Sequence, residues 1–523
     1  MSRVVGIDLG TGKTTAAVVK DGKPVLVPNA EGSYTTPAVI AVMPGGQFLV
    51  GAKAHRQSIL HPHTTISSIK RFLGRSYEDV APEETERVPY RVERGPHNSV
   101  GMRVHERLYV PEQLAALLLR QLLDDAARVL GQPVHEAVIA VPASFTHAQR
   151  QAVWDAATLA GWHVRQLINE PTATALMYAL KTQQSATVMV VDVGSETCEV
   201  SLAEIGGGVC EVRASVGDLR LGGDDFDHCL VDYVSEVLRR QYGINLQADR
   251  QALHRLREAA ERAKCELSSV MQTTLQLPHL VVGAHSPFHL NVPLSRTQFA
   301  ALAAPLAQRC AALIEQALCD AKMNSKDVDT VLLVGGATRM PLVRDLVKKL
   351  MDGRAPTLWV HPDEGVATGA ALQAGMLSGV VEGGLLFDVT PLALSVRNPT
   401  GDLTPVIERN APLPCRVTKL LSPAERQLST LHLAVLQGER GTLASPQQIA
   451  EVSIAGIQPT PQSTSHIEVT FDLDVNGLLA IQARDHETGT PLIVTISNLP
   501  NLSREEVDRR RTESGFRSAL TVA

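Results

Sequence analysis

The sequence predicts an α/β chain of two related lobes, followed by an all-β sandwich and a short helical tail. Three observations lead there. Residues 4–19 read VVGIDLGTGKTTAAVV and residues 188–203 read VMVVDVGSETCEVSLA, a duplication in which Asp8 matches Asp192 and Gly10 matches Gly194. Around these two stretches β-like runs alternate with amphipathic helical ones, as in α/β layers. Near residue 378 the chain changes to β-like segments broken by Pro and Gly.

In order, residues 1–50 hold short apolar runs (VVGI, AAVV, PVLV, AVIAV) punctuated by Gly, Asn and Pro, which predicts a twisted sheet of hairpins. Residues 112–130 carry apolar side chains at helical spacing among strong helix formers. HEAVIAVP is a strand ending at Pro142, and residues 146–162 are a helix with Thr146 as N-cap and Gly161 as stop. NEPTATALMYAL starts the next helix. In the second half, residues 222–243 and 249–269 are long amphipathic helices, residues 330–350 are strand, Gly-Gly turn and helix, and residues 361–377 are a helix of small residues. Residues 378–391 read as a flexible start, an apolar tether LLF and an acidic end at Asp388. The β segments that follow, with VNGL as a hairpin turn, predict a sandwich of about a hundred residues. Residues 502–520 are a helical tail capped by Ser503, with Glu506 three residues on.

Composition narrows the function. With 523 residues several cores are possible, and a net charge of −6 gives no electrostatic case for nucleic acid or anionic lipid as main partner. Aromatics at 4% argue against a base-stacking surface. The seven Cys are scattered without a C-x-x-C pair, which fits a reducing compartment. Neither a signal peptide nor an apolar run of membrane-spanning length is evident, so a cytoplasmic protein without membrane contact is expected.

The duplicated unit carries the chemistry. A strand–turn–strand of this kind aims turn N–H groups at an anion, and its Asp can hold a metal alongside. Either turn alone is an ordinary strand end; the repetition points to two lobes closing on one polyphosphate. GTGKTT is not a P-loop, because the Gly required five residues before Gly12 is Ile7 and no helix follows. Gly335 and Gly336, between a strand and a helix, permit close approach of a base or phosphate.

The stretches GIDLGT, SSIKRFLGR, VIAVPASFTHAQRQAVWDAATLAG, LINEPTATALMYAL, LGGDDFD, EAAERAKCELSS, LLVGGATRMPLV, LLFDVTPLAL, VLQGER and IEVTFDLDVNG, in this order, resemble the seventy-kilodalton heat-shock chaperones, the DnaK-like family, over nearly the whole chain. The resemblance implies an actin-like, ribonuclease-H-like two-lobed ATPase domain at 1–379, a linker at 380–388, a β-sandwich peptide-binding domain at 389–500 and a truncated helical lid at 501–523. It implies ATP or ADP with Mg2+ as ligands. Asp8 and Asp192 would hold the metal through water, and Lys70 would orient the attacking water and neutralise the γ-phosphoryl group. Glu170 would stand behind the metal, and Gly10, Thr11, Gly12, Lys13, Gly194, Ser195 and Thr197 would form the phosphate loops. Glu199 takes the place of the family's catalytic Asp. Gly222, Gly223, Glu261, Lys264, Ser268, Gly335, Gly336, Arg339 and Asp363 would surround the rest of the nucleotide. Pro142 and Arg150 match a relay to the partner domain, and Leu385, Leu386, Phe387 and Asp388 a linker that docks on the ATPase domain. Val396, Leu421, Leu431 and Leu433 fall where relatives grip an extended apolar peptide; without the resemblance they read as sandwich core. Unfolded polypeptide clients, a J-domain co-chaperone and a nucleotide-exchange factor are the implied partners.

The chain departs from the family pattern at several positions. Ser195 and Glu196 replace glycines of the second phosphate loop, so a side chain is expected at any positive-φ position and a carboxylate near the phosphates, slowing hydrolysis; Lys13 is the expected counter-charge. Gln166 replaces an arginine that docks J-domains, though Arg165 is adjacent. Pro399 and Ala424 fall at the arch over the peptide cleft, and Gln462 replaces an arginine that latches the lid. With the lid mostly absent from the sequence, fast peptide exchange is expected. Besides an ATP-driven chaperone, a weakly or non-hydrolysing module holding a dedicated client and, more distantly, a sugar kinase of the same superfamily fit parts of the pattern; the kinase leaves the tether and β domain unexplained.

Overall fold

Both Asp-bearing hairpins form, each inside its own sheet. In the computed structural model, which describes all residues except 1–3, 183, 247–248, 283–286, 358–360, 423–428, 439–445, 459–465, 498 and 513–523, the strand Val4–Leu9 pairs antiparallel with Lys13–Lys20 and parallel with Glu136–Val141. Ala186–Val193 repeats the arrangement with Cys198–Gly206 and Thr330–Val334. Register places Asp8 opposite Thr15 and Asp192 opposite Glu199. The first sheet continues through His163–Asn169 on one side and Lys23–Leu26 on the other; the second extends through Val209–Asp218. The central strands are β-branched and buried on both faces, as sheets covered by helices require.

Helices cover these sheets where the apolar spacing predicts them. Pro111–Leu130 ends at Gly131 in the left-handed region, and His147–Ala160 starts with a Thr146/Gln149 capping box and ends at left-handed Gly161. Glu170–Thr182 and Gly365–Leu377 cross between the sheets. They meet closely because their facing residues are small: a Cβ on Gly369 would overlap the backbone of Ala173, and one on Gly6 the backbone of Ala371. One apolar cluster, including Val4, Ala140, Ala173, Val190, Leu332 and Ala370, unites strands of both sheets.

The tether is itself a strand. Leu385–Thr390 adds to the second sheet, parallel to Val209–Asp218 through Leu385, Leu386 and Phe387, and then pairs antiparallel with Ala411–Leu413 of the β region. The sandwich places Leu403–Ile407, Leu394–Arg397, Thr430–Gln437, Gln447–Ala455 and Ile493–Ser497 in one sheet and Cys415–Leu421, Ile467–Leu473 and Leu479–Asp485 in the other. Inward residues alternate with outward ones, as along Ile467–Leu473. The tail helix Arg504–Thr512 packs on His147–Ala160, with Leu502 and Val507 joining the core of the first lobe, so its described part rests on that lobe rather than on the sandwich. Among the described residues no helix is long and apolar enough to cross a membrane.

Candidate active site and interdomain contact

Loop ends of the two sheets face each other across one cleft. Asp8, Gly10, Thr11, Gly12, Lys13, Lys70, Glu170, Asp192, Gly194, Ser195, Thr197, Gly223, Glu261, Lys264, Ser268, Gly335, Gly336, Arg339 and Asp363 all line it. The two Asp-bearing turns nearly touch: a Cβ on Gly12 would lie 2.5 Å from Ser195 Oγ. The second loop is stitched to the LGGDDFD turn by backbone bonds from Leu221, Gly223 and Asp224 to Glu196, Gly194 and Ser195. Gly222 therefore supports the loop from behind; a Cβ there would overlap the Glu196 backbone. Gly335 sits at φ 81°, where a side chain is strained and would also meet Val193 and Asp192.

Four carboxyls, three of them buried and Asp8 partly so, crowd one side of the cleft around a single lysine. Lys70, in the 3-10 turn Ile69–Phe72, pairs with Glu170, and both are buried. Burial pushes Asp8 up to about 7, with Glu170 adding and Lys70 opposing. Burial, then Glu170, Glu199 and Asp8, raise Asp192 well above the carboxylate range. Glu199 is pushed up to about 7 by burial and Glu170, although Ala143 N–H and Ser144 N–H donate to its two oxygens at 2.8 and 2.9 Å. A cation beside Asp8 and Asp192 would favour their ionised forms. Among the described residues no three acidic, His or Cys side chains form a direct metal cage.

Glu196 departs from expectation. It is not among the residues lining the cleft; its carboxylate accepts from Arg71 Nε at 2.9 Å, with both side chains buried. Arg71, one residue after Lys70, supplies the counter-charge expected of Lys13. Neither Ser195 nor Glu196 has positive φ, so the expected backbone strain is absent too. Elsewhere in the cleft Arg339 pairs with Asp363 at 2.9 Å; burial opposes ionisation of Asp363, but Arg339 and Lys13 hold its pKa below the ordinary value. Lys264 is tied within the second lobe to Asp227 at 2.7 Å and Gly223 O at 3.0 Å while still lining the cleft.

Of Pro142 and Arg150, the arginine bonds to the sandwich. Buried Arg150 donates to Ala143 O at 2.8 Å, Asn169 Oδ1 at 2.7 Å and, across the domain contact, Asn476 O at 3.1 Å. Asn476 Oδ1 accepts from Leu167 N–H at 2.9 Å, and Asp388 accepts from Asn169 at 3.0 Å. His147 Nδ1 accepts from Leu479 N–H at 3.0 Å, and Gln437 accepts from His147 N–H at 2.8 Å. Asp320 holds Arg409 and Asn410 at 2.7 and 3.1 Å. Sequence reasoning did not single out Asn476, His147 or Asp320; Asn476 registered only as part of a hairpin turn. Gln166 accepts from Gln373, and Arg165 pairs with Glu136. In the sandwich, Val396, Leu431 and Leu433 are interior at 2, 3 and 5% exposure, and Leu421 packs half-buried against them. Pro399 is exposed in a turn; Ala424 and Gln462 lie outside the described residues.

Comparison with known proteins agrees in extent. The model of the Hsp70 protein family matches residues 4–518. A chaperone protein DnaK of Thermus thermophilus is 45% identical over 511 residues, covering 97% of this chain and 83% of that protein. The chaperone protein dnaK3 of Thermosynechococcus vestitus is 46% identical over 511 residues, covering 97% and 75%. The chaperone protein dnaK of Cyanophora paradoxa is 44% identical over 514 residues, covering 98% and 83%. Twin Asp-bearing hairpins facing across a cleft, a linker strand joined to a sandwich, and a family match along nearly the whole chain together place this protein in the Hsp70 family.

Proposed function

We propose that this chain is an ATP-dependent chaperone in which the ATP site and the peptide-binding sandwich communicate through the Pro142–Thr146 loop. As an Hsp70 family member it is an ATPase and a molecular chaperone. The observation that carries the coupling is a short chain of contacts: Glu199 is held by the N–H groups of Ala143 and Ser144, Arg150 grips Ala143 O, and the same guanidinium reaches Asn476 of the sandwich. A change in what Glu199 faces is thus passed in two steps to the docked domain.

In this reading Lys70 orients the attacking water and places positive charge beside the transferring phosphoryl group, while Glu199 keeps the negative charge of the family's catalytic Asp. The N–H groups of the two loops hold phosphate oxygens. Hydrolysis by positioning and fixed charge needs little else. A hydrated Mg2+, held by Asp8 and Asp192, would supply charge neutralisation at the phosphates. Val396, Leu421, Leu431 and Leu433 would grip an extended apolar segment once the sandwich opens, backbone bonds giving tolerance of sequence. Because nucleotide and peptide act on one docking equilibrium, each must change the other's affinity by the same factor. J-domain and exchange-factor partners follow from the family; Gln166 and the paired Arg165 alter the surface a J-domain would meet. The seven free cysteines support a cytoplasmic location. Phosphate release in steady state tests the activity: Lys70→Ala should lower it at least about a hundredfold while Mg·ATP still binds, and equal rates in both proteins would remove Lys70 from the mechanism.

A further inference from the structure

The nucleotide cleft has a second outlet behind its lysine. Thr11, Lys70 and Thr197 line the cleft and also a separate chamber on the other side. That chamber runs past the Pro142–Thr146 loop and the turn at residues 217–220 to the docked sandwich, where Gln437 and Gln447 line it. Two observations mark it as an anion site. Five cationic side chains line it (Lys70, Arg71, Arg75, Arg220 and Arg309), and four carboxylates pair with them: Glu170 with Lys70, Glu196 with Arg71, Glu84 with Arg75 and Arg220, and Asp218 with Arg309, which leaves one cation in excess. Ser144, 5% exposed, also lines it, and its buried hydroxyl has no hydrogen-bond partner among the described residues. A buried hydroxyl is costly to leave unmatched, and an oxyanion would accept its proton.

We infer that this chamber takes up the inorganic phosphate produced by hydrolysis and releases it behind the nucleotide, with the docked sandwich as its roof. The inference rests on the ATPase reading above. ADP, still in the cleft, blocks the way out on its own side. The one cation in excess among these pairs, together with the unmatched Ser144 hydroxyl, favours a phosphate oxyanion in the chamber. Arg309, paired with Asp218 at 2.6 Å, and Arg220 stand on its wall. The Gln437 side chain at the far end also accepts from His147 N–H, so the groups that close the chamber belong to the domain contact itself. Phosphate leaves slowly while the sandwich is docked and quickly once it undocks.

Equilibrium dialysis of radiolabelled inorganic phosphate against the full chain, saturated with Mg·ADP, tests the site directly. One phosphate should bind per chain, and both Ser144→Ala and Arg309→Ala should weaken it at least fivefold. The absence of binding, or unchanged affinity in both variants, overturns the inference. A single-turnover experiment tests the route, with cleavage read by acid quench and free phosphate by a fluorescent phosphate sensor. Phosphate should lag cleavage, and saturating apolar peptide should remove the lag. Phosphate and ADP leaving together at one rate contradicts the second outlet. If no cleavage occurred, the ATPase reading would fail, while the dialysis result would still decide the phosphate site.

Discussion

Acidification should undock the sandwich through a single imidazole. His147 opens the helix His147–Ala160, and its Nδ1 accepts from Leu479 N–H across the domain contact, which requires a neutral ring. Burial pushes its pKa from 6.5 down to about 4; Asp474 opposes this and Arg150 reinforces it. Undocked, the ring meets water and returns toward the ordinary value. The pKa is therefore lower in the docked state, and docking loses free energy as pH falls through 6.5 and on toward 4. Between pH 7.5 and 5.5 the undocked ring goes from about a tenth charged to about ten charged per neutral, while the docked ring stays neutral. The docking constant then falls about tenfold, or about 1.4 kcal/mol. Asp388, whose pKa burial raises, acts in the opposite sense, so the whole profile is a sum. His147→Gln keeps an acceptor and removes the titration. With a fluorescent donor on the ATPase domain and an acceptor on the sandwich, the docking constant read from energy transfer in saturating Mg·ATP should fall about tenfold more between pH 7.5 and 5.5 in the parent than in the variant. Superimposable pH profiles would refute the argument.

Three further outcomes are expected. Glu196→Gln strands the Arg71 guanidinium in a buried site, so stability should drop by about 3–5 kcal/mol in denaturant unfolding, with no faster ATP cleavage; a stable, faster variant would mean the carboxylate does face the phosphates. Asn476→Ala removes the acceptor of Leu167 N–H and should weaken docking by about 1–2 kcal/mol, seen as reduced energy transfer in ATP; unchanged transfer would place the coupling elsewhere. Gly335→Ala forces a side chain into Val193 and Asp192 at positive φ, so Mg·ATP affinity measured by calorimetry should fall at least tenfold, and a normal isotherm would show that the loop has room.

Much of the fold was legible because its signals are local. The runs ending in Asp8 and Asp192 are short, β-branched and followed by Gly turns, and Thr146 and Gly161 bracket a helix whose caps form as read. The candidate cleft residues converge because the duplication places both Asp carboxyls at equivalent strand ends. What was not legible depends on distant partners. Glu196 looked like an acid among phosphates, and nothing near it in sequence names Arg71, 125 positions earlier, as its partner. Asn476 looked like a turn residue because its function lies in bonds to Arg150 and Leu167, more than 300 positions away. The tail helix has few apolar residues, so periodicity could not tell which surface its Val507 would meet.

The most direct measurement follows a labelled apolar peptide bound to the full chain after Mg·ATP is added. Peptide dissociation should accelerate with a concentration dependence equal to that of ATP binding, and Arg150→Ala, which cuts the link between the Glu199 loop and Asn476, should abolish the acceleration while ATP still binds. An off-rate indifferent to ATP, or one accelerated equally in the variant, would contradict the coupling through the Pro142–Thr146 loop.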